Sequence, residues 1–576
     1  MYRTHNCGEL REEHIGQSVK LAGWVDTIRD HGGVIFIDLR DGYGFTQLVV
    51  HDDSMLEGIQ KETVIAVSGK VTRRDEETVN KKIMTGYVEV EIDTLDILGK
   101  CSSRLPFEIS DSLETREDVR LKYRYLDLRN MEMHNNIMLR ASIISFLRKK
   151  MESMGFTEIQ TPILTASSPE GARDYLVPSR KHKGEFYALP QAPQQFKQLL
   201  MVSGFDKYFQ IAPCFRDEDA RQDRSPGEFY QLDFEMAFAE QEDVLTVAEE
   251  VVYSVFKEFT DKEITDKPFP RIPYRESMLK YGTDKPDLRN PLVNIDLTDF
   301  FSKVDFPIFK GKPVRGIVAN CVGRPKSFFE KSLSFATEIG MKGLGYLTLA
   351  GEDYKGPIAK FLSPEQKAEL KSMANIKEGE TIFFICDRKE VVDKLAGQIR
   401  TWLGENLELI DHSAYRFCYI VDFPMFDYNE EEKKIDFTHN PFSMPQGGLE
   451  ALNTKDPLDI LAYQYDIVCN GVELSSGAVR NHDTEIMKRA FEIAGYDESV
   501  LKEKFGALYT AFSFGAPPHA GMAPGVDRMV MLITENESIR DVIAFPLNGN
   551  AQDVMMGAPG KVTEQQLREV HIRIRE

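Results

Sequence analysis

Five short runs rich in β-branched and aromatic residues follow one another in the N-terminal part of the chain. They lie between turns of Gly, Asp or Lys and cover residues 18–24, 33–38, 45–51, 62–71 and 87–98. Five strands within about 80 residues predict a small closed barrel, of which the OB-fold is one kind. The runs alone leave open any other small β-barrel adaptor.

The remainder of the chain is too long for one more hydrophobic core. With 576 residues in all, we expect about three to four domains. Apolar residues at helical spacing in 134–154, followed by Gly155, predict an amphipathic helix, and Pro162 then halts a short strand. Residues 290–414 have balanced charge and separate two stretches rich in polar residues, so we interpret them as an inserted domain.

The composition is typical of a globular protein and excludes several classes. Hydrophobic residues make up 42% and charged residues 28%, and no apolar run reaches the roughly 18–20 residues that span a bilayer. The first residues lack the apolar segment of a secretory signal. Seven scattered Cys without a C-x-x-C pair predict neither a disulfide framework nor a zinc site, and they favour a reducing cytosol.

The net charge of −21 argues against loose binding to polyanions such as nucleic acids. No segment reverses this balance, because even residues 1–110 hold 13 basic and 19 acidic residues. Any contact with a nucleic acid therefore has to depend on a few placed side chains rather than on bulk charge.

Two clusters of polar residues lie between 167 and 201. The first, 167–175, has the composition of a loop and contains Glu170. The second begins at Pro193, which suits the first turn of a helix, and Gln194 and Lys197 then lie on one helical face and can enter one pocket. Taken alone, the clusters also fit a surface loop and a solvated helix start.

A third cluster, 214–235, has strand-like residues on both sides of a charged loop with Pro-Gly at its tip. The pattern predicts a long hairpin that carries Arg216, Arg221 and Arg224 among acidic residues. Guanidinium groups bind phosphates through planar pairs of N–H donors, so the loop can hold a nucleotide. A salt-bridged surface hairpin is the alternative.

The fourth cluster has two parts. Asp466 and Glu473 lie seven residues apart, and two carboxylates beside a triphosphate would hold Mg²⁺. A Gly/Pro-rich loop, 515–525, then opens a helix whose first turn holds Asp527 and Arg528, and such an Arg would neutralise phosphate charge. The chain contains neither a G-x-x-x-x-G-K-[ST] P-loop nor a G-x-S-x-G elbow.

In combination and in this order, the clusters resemble the three signature motifs of class II aminoacyl-tRNA synthetases. Motif 1 corresponds to 134–162, motif 2 (F-R-x-E) to 215–218 and motif 3 (G-x-D/E-R) to 525–528. The likeness to bacterial-type aspartyl-tRNA synthetases extends over essentially the whole chain. The strings that match this family most specifically are 169–180, 186–191 and 204–208.

The resemblance implies an α+β multidomain protein. An N-terminal OB-fold β-barrel would precede the antiparallel-sheet catalytic domain of class II synthetases, which an α/β GAD-type domain interrupts. The expected segments are the anticodon-binding barrel at 1–108, a hinge at 109–133, the catalytic domain at 134–289 and 415–560, the inserted domain at 290–414 and a tail at 561–576.

The resemblance also implies a reaction in two steps. The α-carboxylate of L-aspartate attacks the α-phosphate of ATP, and the 3′-hydroxyl of the tRNA then takes the aspartyl group from the adenylate. No protein nucleophile is needed, so catalysis would consist of positioning and charge neutralisation. The expected cofactors and partners are ATP, Mg²⁺, tRNA(Asp) and a second copy of the chain in a cytoplasmic homodimer.

The family assigns roles to residues of all four clusters. Catalytic contacts are expected from Arg216, Glu218 and Arg528, and further ATP contacts from Asp217, Ser225, Glu473, Gly525, Val526 and Asp527. Asp466 and Glu473 would hold Mg²⁺, with help from Ser476. The aspartate pocket would use Glu170, Gln194, Lys197, Arg216, Asp233, His439 and Arg480. Ser225 stands near the place of a Gln that binds ATP in many relatives.

Two of these residues would select aspartate. Arg480 can meet the side-chain carboxylate with two parallel hydrogen bonds, and Lys197 adds a point charge. Asparagine would then leave buried cations unpaired, at a cost of roughly 2–5 kcal/mol.

Four residues of the barrel would read the anticodon by resemblance, namely Arg29, His31, Phe36 and Gln47. Phe36 would stack on the central base and Arg29 and Gln47 would read base edges, although a core position for Phe36 is the alternative. His31 is similar to relaxed enzymes that charge both tRNA(Asp) and tRNA(Asn). A strictly tRNA(Asp)-specific enzyme is the alternative.

Two rival functions would use a related fold. A non-catalytic RNA-binding relative should have lost Arg216, Glu473 or Arg528, and all three are present. An ATP-dependent, asparagine-forming ligase should lack the barrel and the inserted domain.

Overall fold

The chain divides into two compact units in a computed structural model that describes residues 1–167, 172–351, 353–429 and 432–575. One unit comprises residues 1–137 and 553–557, and the other comprises residues 138–552 and 558–576. Within the described ranges, no helix has the length and apolar character needed to cross a membrane. All seven Cys lie in these ranges as free thiols.

The first unit contains a five-stranded barrel. Its strands are β1 (Ser18–Asp30), β2 (Ile35–Asp41), β3 (Gly44–Val50), β4 (Val64–Arg73) and β5 (Val88–Gly99). They follow the order β1-β2-β3-β5-β4, and antiparallel pairing of β1 with β4, for example Leu21 with Val67, closes the barrel. The predicted closed barrel is confirmed.

Strand β1 is longer than the predicted 18–24. A bulge between Val25 and Thr27 lets its second half pair with β2 as far as Asp30. The prediction ended too early because this second half carries polar residues, such as Arg29, that face away from the core.

Two short helices, α1 (Glu117–Lys122) and α2 (Arg124–Asp127), follow the barrel. The carboxylate of Asp127 is fully buried and accepts hydrogen bonds from Arg120 Nε at 3.1 Å and Arg124 Nη1 at 2.5 Å. These charge-assisted bonds fix the turn between the two helices within the predicted hinge.

The remaining strands belong to the second unit. They are β6 (Thr157–Glu158), β7 (Leu176–Pro178), β8 (Phe186–Ala188), β9 (Lys207–Arg216), β10 (Gly227–Ala237), β11 (Glu263–Ile264), β12 (Arg271–Pro273), β13 (Asn294–Asp296), β14 (Val314–Asn320), β15 (Gly345–Ala350), β16 (Asp353–Lys355), β17 (Glu380–Cys386), β18 (Ala414–Tyr415), β19 (Phe417–Pro424), β20 (Phe426–Asn429), β21 (Lys434–Phe437), β22 (Leu461–Cys469), β23 (Val472–Val479) and β24 (His519–Met522).

The helices that follow α2 begin with the predicted amphipathic helix. They are α3 (Met131–Ser153), α4 (Gln194–Val202), α5 (Gln241–Phe259), α6 (Tyr274–Tyr281), α7 (Thr298–Ser302), α8 (Lys326–Glu338), α9 (Pro364–Ala374), α10 (Lys389–Asn406), α11 (Gly448–Thr454), α12 (Thr484–Ile493), α13 (Glu498–Phe512), α14 (Val526–Thr534) and α15 (Glu564–Glu569).

Eight strands form the largest sheet, in the order β12-β19-β22-β23-β24-β10-β9-β6. Only the pairs at its two edges are parallel, so the sheet is antiparallel through its centre. Helices α5 and α14 cover one face, where Phe256 and Val530 share a hydrophobic core with Phe234 and Ile467 of the sheet. The other face carries the polar residues of these strands.

A second sheet, β13-β14-β17-β15-β16, lies within the predicted insertion. Apolar residues cover both of its faces: Phe384 packs with Phe300 and Leu370 on one side, and Phe383 packs with Phe328 and Ile399 on the other. The two clusters draw their residues from within 290–414, and the boundaries of the inserted domain stay a prediction.

Candidate active site

The polar face of the eight-stranded sheet opens into a cavity of about 800 Å³. Strand periodicity builds this face, because successive residues point to opposite sides of a sheet. In β10, Leu232 and Phe234 pack in the core, and Asp233, between them, lines the cavity. In β22, Ile467 packs in the core and its neighbour Asp466 lines the cavity.

Most of the predicted site residues converge on this cavity. Those that line it are Gln194, Lys197, Arg216, Glu218, Ser225, Asp233, His439, Asp466, Glu473, Ser476, Arg480, Gly525, Asp527 and Arg528. Val526 does not line it, because its side chain is fully buried in the core under the sheet. Asp217 lies outside the lining, and its backbone N–H donates to the carbonyl of Arg173. Glu170 lies outside the described residues.

One end of the cavity holds a buried network of four charges. Lys197 Nζ lies 2.6 Å from Asp233 Oδ1 and 3.5 Å from Glu235 Oε2. Arg480 donates from Nε and Nη2 to the two oxygens of Glu235, at 2.8 and 3.1 Å. Each of the four side chains is at most 2% exposed. Two cations are thus paired with two carboxylates before any ligand binds.

Glu235 is the functional residue that the sequence interpretation missed. Its position two residues after Asp233 on one strand was a usable signal, because residues i and i+2 share a face. Burial raises the pKa of Glu235, but the Arg480 guanidinium and the Lys197 ammonium outweigh burial and hold the pKa below its ordinary value. Glu235 is therefore an anion that fixes the orientation of Arg480.

Two buried polar atoms in the same region have no hydrogen-bond partner in the part of the chain that the structure describes. They are Asp233 Oδ2 and Gln194 Nε2. Burial raises the pKa of Asp233 more than the neighbouring Lys197 lowers it. The Tyr208 hydroxyl lies beside the Asp233 carboxylate and also lowers its pKa. Unsatisfied buried groups are costly, so Gln194 Nε2 is the atom placed to meet a polar ligand.

The other end of the cavity holds Asp466 and Glu473. Asp466 is 4% exposed and its Oδ1 lacks a hydrogen-bond partner among the described residues. Burial, and then the charge of Glu473, raises the pKa of Asp466 well above its ordinary value. A divalent cation would relieve both effects, so the residues present fit the predicted Mg²⁺ site.

This candidate metal site is sparse. No group of three or more His, Cys, Asp or Glu side chains arranged for a metal exists within the described segments. Two carboxylates suffice for Mg²⁺, which keeps several waters and binds the phosphates of its substrate.

Arginines surround the same end of the cavity. Arg528 Nη1 donates to the carbonyl of Glu473 at 2.6 Å, and Nη2 lies 3.3 Å from Asp223 Oδ2. The Arg216 guanidinium lies 5.0 Å from the centre of the Phe229 ring. Arg216 and Arg528 both line the cavity, so phosphate groups can reach them.

The hairpin loop of the third cluster is held by its own ion pair. Glu218 accepts a hydrogen bond from Arg224 at 2.7 Å, and Ser225 is buried, with its hydroxyl 3.4 Å from the carbonyl of Pro226. An ATP contact by either residue requires a rearrangement of these bonds, so both remain predictions.

Asp527 has two protein partners within the described residues. Its carboxylate is paired with Arg140 of α3 and accepts from the backbone N–H of Tyr230 at 2.8 Å. These bonds fix the start of α14 against the sheet and favour a positioning role. The predicted ATP contact of Asp527 stays a prediction.

The predicted anticodon residues lie on and around strands β1 to β3 of the barrel, and one of them, Gln47, is buried. Phe36 pairs with Arg29 across β1 and β2, is half-buried, and lies outside the barrel core that contains Ile37. The ring of His31 meets that of Phe36 edge to face, with centroids 5.6 Å apart. These contacts favour the predicted stacking role over a core position.

Hydrogen bonds organise the neighbours of Phe36. Arg29 donates to both oxygens of Asp38, at 2.5 and 2.8 Å, and to Gln47 Oε1 at 3.2 Å. Gln47 Nε2 in turn donates to Glu89 Oε2 at 2.7 Å. A fixed polar row thus borders a partly exposed aromatic ring, so the predicted stacking of a base on Phe36 stays a prediction that the geometry permits.

Comparison with known proteins decides the family. Residues 116–549 match the family described as tRNA synthetases class II (D, K and N), and residues 19–98 match the OB-fold nucleic acid binding domain. The chain is a class II tRNA synthetase. The family and the α+β fold predicted from the motifs are therefore confirmed.

Relatives of this synthetase are similar over their full length. An aspartate–tRNA(Asp/Asn) ligase of Rickettsia bellii is 56% identical over 589 residues, which cover 100% of this chain and 98% of that protein. The protein of the same name from Ehrlichia chaffeensis is 55% identical, with 100% and 99% covered.

Solved structures share the fold of the synthetase at low identity. The asparaginyl-tRNA synthetase from Pyrococcus horikoshii complexed with asparaginyl-adenylate is 18% identical, with a TM-score of 0.59 over 95% of this chain and 98% of that one. The aspartyl-tRNA synthetase from Entamoeba histolytica is 19% identical, with a TM-score of 0.55 over 93% and 90%.

Replacing Glu235 by Gln should destabilise the larger unit of the synthetase. The amide cannot neutralise the buried Arg480, and loss of one partner of a buried ion pair costs about 3–5 kcal/mol. We expect the thermal transition of this unit to move to lower temperature. The control is Glu228→Gln, an exposed residue near the start of the same strand, for which a change below about 0.5 kcal/mol is expected. A wild-type transition for E235Q would show that charge does not hold Arg480.

Proposed function

We propose that the protein attaches L-aspartate to tRNA(Asp) and tRNA(Asn) in two steps that use ATP and Mg²⁺. The buried network of Lys197, Asp233, Glu235 and Arg480 beside the unsatisfied Asp466 carries this proposal. It combines a cationic contact for a small carboxylate with a site for metal and phosphate in one cavity. The relatives named aspartate–tRNA(Asp/Asn) ligase support the choice of substrates.

In the first step, the α-carboxylate of aspartate forms a bond to the α-phosphorus of ATP, and the bond to the pyrophosphate breaks. Negative charge then grows on the α-phosphate, where Arg216 would neutralise it. Arg528 would neutralise and orient the other phosphates, and Asp466 and Glu473 would hold a Mg²⁺ ion that supplies further positive charge there. In the second step, the 3′-hydroxyl of the terminal adenosine takes the aspartyl group and AMP leaves.

The pocket would bind aspartate by adding to an existing ion network. Nε and Nη2 of Arg480 donate hydrogen bonds to Glu235. Nη1 would therefore bind the side-chain carboxylate of the substrate. Lys197 would contribute a second charge, and the Asp233 carboxylate and Gln194 Nε2 would bind the backbone groups of the amino acid.

This arrangement changes the expected origin of selectivity. Asparagine would not leave Arg480 or Lys197 unpaired, because Glu235 and Asp233 already neutralise them. Discrimination would come instead from the stronger charge-assisted hydrogen bonds that aspartate makes. A difference of about 1.5–3 kcal/mol corresponds to a preference of roughly 10- to 150-fold.

The same proposal assigns the rest of the chain. The barrel domain, 1–108, would bind the anticodon, and the hinge, 109–133, would connect it to the catalytic domain at 134–289 and 415–560. The enzyme would act in the cytoplasm as a homodimer. A non-catalytic role is disfavoured because Arg216, Glu473 and Arg528 all line one cavity.

Replacing Arg480 by Ala should abolish the response to aspartate far more than the binding of ATP. We expect the KM for aspartate in ATP–pyrophosphate exchange to rise about 100-fold or more, because the charged Nη1 donor is lost and Glu235 is left as an unpaired buried anion. Arg489→Ala, an exposed arginine on α12, is the control and should behave as wild type. An unchanged aspartate requirement in R480A, or no aspartate-dependent exchange in the wild type, would refute the proposed reaction.

Purified tRNA(Asn) should accept aspartate from the wild-type enzyme. The measurement is transfer of labelled aspartate, with purified tRNA(Asp) as the positive control and a tRNA for an unrelated amino acid as the negative control. Charging of tRNA(Asp) alone would refute relaxed tRNA specificity and support an enzyme that is strictly specific for tRNA(Asp).

Replacing Phe36 by Ala should raise the KM for tRNA by roughly 5- to 150-fold, because stacking of a base on an aromatic ring contributes about 1–3 kcal/mol. Exchange between ATP and pyrophosphate, which needs no tRNA, should stay at the wild-type rate. Tyr43, an exposed aromatic residue in the turn between β2 and β3, provides the control Tyr43→Ala. Equal effects of the two substitutions on KM would argue against stacking on Phe36.

A further inference from the structure

Lys285 lies at the edge of the cavity, beside the proposed metal ligand Glu473. Its Nζ is 3.2 Å from Glu473 Oε2 and 2.8 Å from Asp284 Oδ2. The side chain is 38% exposed and lines the cavity. Lys285 also lines a second cavity of about 890 Å³ that adjoins helix α10. The ammonium therefore occupies the space where a cation would meet the outer oxygen of Glu473.

The residue is carried by a short connecting segment, 282–292, which leads from α6 to the first strand of the insertion. On one side this segment packs against the turn between β22 and β23. A Cβ on Gly471 of that turn would lie 3.4 Å from Cβ of Asp287. Glu473 follows two residues after Gly471, so the segment is fixed next to the strand that carries the carboxylate.

Helix α10 of the insertion holds the other side of the segment. Arg400, which is 1% exposed, donates to three backbone carbonyls of the segment: from Nε to Leu292 at 2.5 Å, and from Nη2 to Asp287 at 2.9 Å and to Asn290 at 2.7 Å. A rigid guanidinium bonded to three carbonyls leaves the segment little freedom.

A glycine allows the close approach of α10. A Cβ on Gly397 would lie 2.8 Å from the carbonyl oxygens of both Tyr281 and Gly282, a distance that real Cβ atoms do not adopt. Gly282 itself has a φ of 70°, which ends α6 and turns the chain into the segment. The insertion thus contacts the backbone three residues before Lys285.

We propose that Lys285 is a positioning residue that serves as a built-in counter-cation of Glu473 in the metal-free enzyme, and that helix α10 of the inserted domain holds it there. Lys285 lies 3.2 Å from Oε2 of Glu473, and Arg528 lies farther away, at 3.9 Å from Oε1. The inference rests on the proposed function, because it takes Glu473 as a ligand of a divalent cation. A divalent cation and the ammonium compete for Glu473, so metal binding releases Lys285. The released ammonium then lies at the mouth of the cavity, where it can bind the phosphate groups of the nucleotide or pyrophosphate.

Binding of Mn²⁺ to the full-length, nucleotide-free protein tests the first part. Free Mn²⁺ is measured by electron paramagnetic resonance, and inorganic pyrophosphate binding is measured separately by calorimetry in the presence of Mn²⁺. In Lys285→Met, Mn²⁺ should bind about tenfold more tightly, because the competing charge is gone. Pyrophosphate should bind about tenfold more weakly. Lys285→Arg keeps the charge and should resemble the wild type in both measurements.

Tighter Mn²⁺ binding together with weaker pyrophosphate binding in K285M would distinguish a counter-cation from a merely structural Lys285. Damage to the site would weaken both ligands, so Mn²⁺ binding that is unchanged or weaker in K285M would overturn the proposal. Glu473→Gln defines the signal, since it should bind Mn²⁺ more weakly than the wild type. Failure of the proposed function would appear elsewhere, as a wild-type enzyme without aspartate-dependent exchange.

Helix α10 is tested by Gly397→Ala. The added methyl group would push the segment away from the helix, and Mn²⁺ should then bind several-fold more tightly, in the same direction as in K285M. Gly343→Ala in the same inserted domain is the matched control, because a Cβ there meets no atom within 4 Å. Arg400→Lys keeps the charge but loses the fork of donors, and it serves as a second variant if G397A does not fold. Wild-type Mn²⁺ affinity in a folded G397A or R400K would show that α10 does not hold Lys285.

Discussion

The ion network formed by Lys197, Asp233, Glu235 and Arg480 is the constraint on which the site depends. Four charges lie where water has almost no access, and such charges are tolerated only when each has a partner with good geometry. The network spans α4, β10 and β23 with the residue that follows it, so those elements are held in one register. Buried ions of this kind are weak evidence for stability, but they specify where each donor points.

The alternation of side chains along the central strands places the core on one face of the sheet and the candidate site on the other. Each central strand places apolar side chains on the face covered by α5 and α14 and polar side chains on the face that lines the cavity. The same strands thus supply both the packing that makes the sheet rigid and the groups that would meet the proposed substrates. Chemistry on rigid strands is more precise than chemistry on loops, which suits a reaction that depends on positioning.

Much of this organisation could be predicted from the sequence, because it follows from local signals. Turn residues and β-branched runs predicted the barrel, helical spacing predicted α3, and Pro193 predicted the start of α4. The motifs predicted which residues share the cavity. Local signals do not show how those residues pair with each other. For that reason the sequence predicted Arg480 and Lys197 as free cations and did not point to Glu235.

Long-range contacts account for the other differences. The bulge that extends β1 becomes apparent only when β2 lies beside it. The importance of Lys285 depends on α10, which lies more than a hundred residues later in the chain. No spacing rule connects residues so far apart in sequence. The contact between α10 and the segment that carries Lys285 is therefore visible only in the folded structure.

In the proposed anticodon complex, the polar row beside Phe36 would affect the entropy of tRNA binding. Arg29 and Gln47 are already held in one conformation by Asp38 and Glu89. Ordering a long side chain at an interface costs about 0.5–1.5 kcal/mol of binding free energy. Arg29 and Gln47 are already ordered in the folded barrel, so tRNA binding would not carry this cost. The acidic partners Asp38 and Glu89 also repel phosphate. This face would therefore favour contact with an unstacked base over contact with the phosphate backbone. A protein with a large negative charge can in this way bind a polyanion selectively.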